Sequence, residues 1–499
     1  MRKGGRRMAG IGFHLQHLFS KETYSSKLKA YGFASLVTAG PWIIITAAIG
    51  LIQAVIGRFP AISSADKELF IFTVSYCFIF SQILFSTQQL TATRFVSDLI
   101  YEKKYNEIMP AFLGLTKTTS VLALCVWIPF ALISPLPLLY KLVVLGLFLT
   151  VNQIWVLLLF LSAAKDYRTI GYGFLGGGAV AVFGTLLACL NQTALSFEAY
   201  SLPLILLLGF WVGMAVTLYT LFYTLLKTFP DWNTSGQFAY YSYFGKYPKL
   251  LAAGILYNLA IWVCTWIIWF GEGARVVEGS FLIHPYYDMA IFWSYLTILP
   301  TMVLFVVSIE TRFYLKYKEY FNAVNHGGTL GQIKKAKEKM MTVLGQELQR
   351  VFRLQLIFTG VVVFFAGYIF EWLGLDQTFI QMFRITAMGA LANGMLLILF
   401  LVMLYFDDQQ GALNSAAMFF GINLVLTVLF LPGGLDWMGL SFCIGSFASS
   451  IYAAFRLTAY LKSLEYHTFC KPSPVKGVAE KRLEKLGRWL DGMDVRESR

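Results

Sequence analysis

The chain has 499 residues, of which 57% are apolar and only 13% charged. A water-soluble protein carries about twice that share of charge, so a soluble globular fold is excluded; the mean hydropathy of +0.64 calls for lipid as solvent. The net charge of +13 would suggest nucleic acid in a soluble protein. Here the basic residues sit between apolar runs, where membrane topology and anionic lipid explain them, and no nucleic-acid partner is expected.

The chain opens on the basic stretch Met1 to Arg7. Ile11, Leu15, Leu18 and Phe19 then share one helical face beside Lys21 and Lys27, which predicts a basic amphipathic helix on the inner leaflet within residues 1–30. His14 and His17 lie at i and i+3 without a carboxylate or cysteine nearby, a weak metal signal, and no metal is expected. The apolar run from Gly32 to Ile56 is too long for the core of a cleavable signal peptide. Twelve runs are long enough to cross a bilayer: 32–57, 69–92, 113–134, 141–163, 169–190, 201–227, 249–271, 287–311, 353–374, 383–406, 411–432 and 437–461.

Charge tests that count. With the N-terminus inside, 35 of the 40 Lys and Arg residues fall on one side. Only Arg58, Lys67, Lys141, Arg275 and Arg384 fall on the other. One missed span would swap every later loop, so the asymmetry predicts twelve spans with both termini cytoplasmic. Residues 31–228 then make a first six-helix half, 229–248 a cytoplasmic linker, and 249–462 a second half. The second half includes a cytoplasmic helical segment at 316–350, with Ile333, Met340, Met341 and Leu344 as its apolar side. Residues 463–499 make a basic amphipathic tail, in which Val478, Leu483, Leu486, Trp489 and Leu490 are set against Lys481, Arg482, Lys485 and Arg488.

The two halves echo each other. Thr93, Arg94 and Phe95 close the second span; Thr311, Arg312 and Phe313 close the eighth. Lys29 and Trp42 open the first span with the same separation as Lys249 and Trp262 at the seventh. Phe160 and Asp166 end the fourth; Phe400, Asp407 and Asp408 end the tenth. Six spans per half preserve orientation. The expected fold is therefore all-α, two pseudo-symmetric parallel six-helix bundles with a substrate path between them, as in a transporter.

Gly171, Gly173 and Gly176 match GxGxxG, but they open a membrane span, where small residues serve close helix packing. No P-loop, nucleophile elbow or HExxH is present. The six cysteines are scattered without a CxxC pair. No enzyme activity and no cofactor are expected. Away from their ends the spans carry no Asp, Glu, Lys or Arg, whereas ion-coupled exporters usually need a buried acid. The interior polar groups are neutral amides: Gln53, Gln82, Gln88, Gln89, Asn152, Gln153, Asn258, Asn393, Asn414 and Asn423. Such groups either join helices or line a hydrated, uncharged path. Gln82, Gln88, Gln89, Asn152, Gln153, Tyr257 and Asn258, with Trp42 and Trp262, are the candidate path residues, since amides and aromatic faces suit sugar hydroxyls and rings. Charge returns at the cytoplasmic span ends, where Arg94, Arg312, Glu310, Asp166 and Asp407 are either interface anchors or an entry gate.

The stretch Met8 to Phe13 with Leu15, then Tyr31 and Gly32, then Gly40, Pro41 and Trp42, resembles the opening of the Pel exopolysaccharide membrane transporters, the PelG family. The Thr-Arg-Phe end of the second span and the twelve-span topology extend the resemblance over nearly the whole chain. The resemblance implies a bacterial plasma-membrane protein of the multidrug/oligosaccharidyl-lipid/polysaccharide exporter superfamily. It implies a cytoplasmic glycosyltransferase partner and small membrane subunits, with cyclic di-GMP sensed by a partner, and a polymer rich in partly deacetylated N-acetylgalactosamine as substrate. Two other readings remain open on the residues: a lipid-linked oligosaccharide flippase or ion-coupled drug antiporter, and a scaffold that holds the glycosyltransferase without transporting.

Overall fold

The computed structural model describes Gly32 and residues 40–59, 62–164, 167–190, 201–230, 235–470 and 478–497. The predicted N-terminal amphipathic helix, His14, His17, Lys29 and Asp166 lie outside the described residues, and so does the side chain of Glu310. Among the described residues, 12 helical segments are long and apolar enough to cross a membrane, and each overlaps one predicted run.

The first six spans are α1 (Gly40–Gly57), α2 (Ser64–Tyr101), α3 (Ile108–Ile133), α4 (Leu138–Ala163), α5 (Tyr167–Leu190) and α6 (Ser201–Thr228). A short helix α7 (Tyr241–Lys246) precedes the seventh span, α8 (Pro248–Ile268). A hairpin, β1 (Arg275–Val277) with β2 (Phe281–Ile283), leads into the eighth, which is broken into α9 (Pro285–Leu296) and α10 (Leu299–Ser308). After a π-helical turn at Ile309–Phe313 come α11 (Tyr314–Asn325), α12 (Leu330–Trp372), α13 (Gln377–Tyr405), α14 (Gln409–Phe430) and α15 (Leu440–Lys462). Two short elements follow, α16 (Leu464–Phe469) and α17 (Val478–Glu497).

Two helices are much longer than a bilayer requires. With 38 residues α2 runs to about 57 Å, and with 43 residues α12 runs to about 65 Å, against ~30 Å of hydrocarbon. The predicted cytoplasmic segment 316–350 is thus divided between α11 and the first part of the ninth span itself, α12. A capping box between Thr329 and Gln332 starts it, and no proline interrupts it.

The chain divides into two compact units, with the boundary inside α8. The first takes Pro41–Ile261, Ala274–Ile283 and α17. Small residues set its α5–α6 contact: a methyl on Gly184 or Gly209 would meet the other's backbone, and Gly213 stands against Ala181. Buried hydroxyls and indoles tie α4 to its neighbours, with Tyr140 and Thr73 sharing a bond of 2.8 Å and Trp155 donating to Ser81 at 3.0 Å. The hairpin is fastened to this unit by an Arg275–Glu68 ion pair of 2.8 Å and by the Tyr76 hydroxyl donating to the Leu282 carbonyl.

The second unit takes Trp262–Gly273 and the chain from His284 through α16. Phe370 packs edge-to-face on Phe379 and Phe383 at its core. Pro300 cannot donate a backbone hydrogen bond, and the eighth span breaks just before it. The Thr297 carbonyl at the break accepts from the Gln355 side chain of α12 at 2.9 Å, and Thr301 donates back to Gln355. In hydrocarbon a backbone group opened by a kink needs such a partner. At the start of α9, Asp288 accepts from Trp269 at 3.0 Å and from the backbone of His284 at 3.0 Å. The His284 ring contacts the Glu272 carbonyl through Nε2 at 2.8 Å, and burial lowers its pKa.

Candidate functional site

Each unit presents one arginine of the repeated Thr-Arg-Phe at the end of an even-numbered span. In the first unit, Arg94 lies 3.4 Å from Asp98, one turn further along α2. Its guanidinium also sits 5.6 Å from the ring of Tyr247. The Tyr243 hydroxyl donates to Asp98 at 3.0 Å; burial and the nearby carboxylate both push its pKa up. Lys246 stands 5.0 Å and 5.2 Å from the rings of Tyr243 and Tyr247. Phe95 is buried against Tyr243.

These aromatic residues belong to the segment expected to be a linker. Instead the segment is inserted into the first unit. Tyr240 donates to the Thr118 hydroxyl at 2.7 Å, and Tyr241 shares that hydroxyl at 3.0 Å. Gly114 faces the Gln237 carbonyl so closely that no other residue fits. The clustering of four tyrosines and two phenylalanines between Phe238 and Tyr247 is the sequence signal for this packing.

In the second unit the same tripeptide sits in the π-helical turn, a deformation that recurs at functional sites. Arg312 is exposed, yet reaches Glu347 of α12 at 2.8 Å. Glu347 is itself only 6% exposed and also accepts from Ser308 at 2.8 Å. Phe313 is buried among Tyr317, Tyr405 and Phe406. Glu347 belongs to the buried stripe of α12 that runs Ile333, Lys337, Met340, Leu344, Glu347, Val351 and Gln355. Its helical spacing, carrying an acid where an apolar residue is due, is visible in the sequence. One end of the stripe pairs Lys337 with Glu465 and the Lys462 carbonyl. Burial opposes the Glu465 charge, but the Lys337 hydrogen bond prevails and the pKa is lowered.

Asp407 follows the end of α13 with φ +58° and accepts from the side chain of Gln409 at 2.8 Å. The more enclosed neighbour is Asp408. It caps α14 through the Gly411 N–H and takes a bidentate grip from Arg456 at 2.9 and 3.0 Å.

Of the candidate path residues, Gln88 and Gln153 are brought to one turn of α3. Gln88 donates to Thr119 at 2.5 Å, and Gln153 to Ser120 at 2.9 Å and the Thr116 carbonyl at 3.3 Å. The bonds join α2, α3 and α4. Asn152 is fully buried and donates to Phe148 of its own helix at 2.8 Å. Asn258, half-buried, does the same to Gly254 at 3.0 Å. Tyr257 is buried, Gln82 and Trp262 are half-buried, and Gln89 and Trp42 are exposed.

Comparison with known proteins gives this arrangement its context. Residues 8–469 match the model of the PelG family, described as "Putative exopolysaccharide Exporter (EPS-E)". The chain belongs to the PelG family. It is a multi-pass plasma-membrane transporter of the exopolysaccharide-exporting class, whose members take part in exopolysaccharide synthesis complexes. Its fold is that of MATE transporters. It is similar to an outward-facing multidrug resistance MATE transporter of the MOP superfamily, at 13% identity over 87% of this chain and 96% of that one, with a TM-score of 0.58. An inward-facing conformation of such a transporter gives 12%, 85%, 95% and 0.57. A mutant of the Vibrio cholerae MATE transporter VcmN gives 14%, 91%, 98% and 0.56. No individual curated protein matches the chain in sequence.

Proposed function

We propose that this chain carries a nascent hexosamine-rich, Pel-like polysaccharide across the plasma membrane, receiving it at the basic, cytoplasmic ends of its spans from a partner glycosyltransferase. Small membrane subunits complete the complex, and cyclic di-GMP is sensed by a partner. Chain elongation by the glycosyltransferase supplies the push.

The observation that carries this reading is the repeated arginine held on a carboxylate in each unit, Arg94 on Asp98 and Arg312 on Glu347. A guanidinium presents five donors in a planar fork, suited to sugar hydroxyls as well as to a carboxylate. Each arginine can exchange its acid for the passing chain, and each acid can then accept from the amine of a deacetylated hexosamine. The neutral amides inside the spans are consistent with a path that meets sugar hydroxyls and acetamido groups.

The test is polymer secretion in cells that carry Arg94→Ala together with Arg312→Ala. The expected outcome is polymer synthesised but retained, with normal amounts of the exporter in the membrane. Normal secretion at normal protein levels would remove both arginines from the account.

A further inference from the structure

The outer surface of α17 takes no part in the transport reading, and its inner surface is built into the first unit. Gly245 of α7 stands so close to the backbone at Ala479 and Glu480 that a methyl there would collide. Gly487 is equally close to the Phe238 carbonyl. Asp491 accepts from the Phe238 N–H at 3.2 Å. Glu480 and Gly487 are buried on this side, with Leu483 and Leu490 half-buried beside them.

The opposite side differs from the expected amphipathic pattern. Lys481, Arg482, Lys485 and Arg488 are all exposed, and between them stand Leu486 and Trp489, 41% and 59% exposed. Among the large apolar residues whose side chains are described, Leu483 and Leu490 are thus committed to the protein, and Leu486 and Trp489 share a face with four cations.

The depth of this face follows from its seat. α17 packs on α7, and the tyrosines around α7 are bonded to Thr118. Thr118 lies about 15 Å into α3, next to the exposed Lys117 and near the start of the apolar run 113–134, where a lysine reaches toward the interface. A tryptophan and a leucine flanked by Lys and Arg at that level have the chemistry of a membrane interface. The indole and the aliphatic chain suit the acyl boundary, and the cations suit anionic headgroups.

We propose that the outer face of α17 is a docking site for anionic phospholipid, which fixes α17, and α7 beneath it, against the bilayer. The proposal is independent of the cargo. Its test uses the full chain with Cys125→Ser and Cys470→Ser, the exposed thiols, and an environment-sensitive fluorophore on Trp489→Cys. The protein is placed in nanodiscs of phosphatidylcholine alone, or of phosphatidylcholine with phosphatidylglycerol. The expected result is a blue shift of the fluorophore only with phosphatidylglycerol, reversed by salt. Replacing Lys481, Arg482, Lys485 and Arg488 by Gln abolishes the shift while the thermal midpoint stays parental; each single replacement weakens phosphatidylglycerol binding by about fivefold. Arg488→Glu, as a single reversal, shows the same direction should the fourfold variant fold poorly. A fluorophore equally wet in both discs, one equally shifted in phosphatidylcholine alone, or one shielded only by an added acidic protein would each overturn the proposal.

Discussion

The two Thr-Arg-Phe ends carry the same three residues and are built differently. Around Arg94 the backbone is regular α-helix, the acid is on the same helix, and the covering group is the aromatic segment that ends in Tyr247. Around Arg312 the backbone is a π-turn, and the acid, Glu347, comes buried from the ninth span. In the first arrangement both partners are half-buried and still reached by water; the second places its anion where solvent is scarce. An internal repeat therefore conserves the position of a charge without conserving the strength with which it is held.

Four variants break or sharpen that contrast. The largest effect is expected from Arg312→Ala, which leaves Glu347 buried with Ser308 as its nearest donor; unfolding by SDS titration should show a loss of about 2 kcal/mol. Gln355→Leu removes the partner of the opened Thr297 carbonyl in the eighth span and should cost about 1–2 kcal/mol in the same assay. In the first unit Tyr243→Phe deletes one hydrogen bond to Asp98, with an expected loss of about 1 kcal/mol. Arg94→Ala should change stability least, by about 0.5 kcal/mol, and its effect should fade with added salt. Equal losses for Arg94→Ala and Arg312→Ala would erase the distinction between the two ends.

A pH titration adds a fifth check on the second unit. The Glu465 pKa is lowered in the folded chain, so its contact with Lys337 contributes at neutral pH. The contribution fades as pH falls below the ordinary Glu value of about 4.3 and through the lowered one. Glu465→Gln should flatten that acid limb of the stability profile, and an unchanged limb would show that other carboxylates dominate it.

The spans were legible because bilayer thickness forces apolar runs, and the repeat because short motifs recur at matching span ends. The arginines could be named for the same reason. Their partners were harder. Asp98 was within reach as an i+4 neighbour, but Glu347 follows Arg312 by 35 positions and meets it only through the packing of α12. The π-turn leaves no composition signal in Ile309 to Phe313. Segment 229–248 read as a linker because polarity outweighed its aromatic density; the closeness of Gly114 to Gln237 that seats it is a tertiary fact. Gln355 escaped notice because it stands just two residues inside the predicted ninth span, where charge and amide are expected to meet water. The long α12 carries it into the protein instead.

The central claim is export of a growing polymer, and reconstitution tests it most directly. The exporter and its glycosyltransferase are placed together in proteoliposomes, sugar nucleotide is supplied outside, and a glycoside hydrolase is then added outside. The account predicts polymer inside the vesicles that resists the hydrolase, and its loss with the Arg94→Ala, Arg312→Ala pair. Polymer made in normal amount and wholly digested from outside would contradict it.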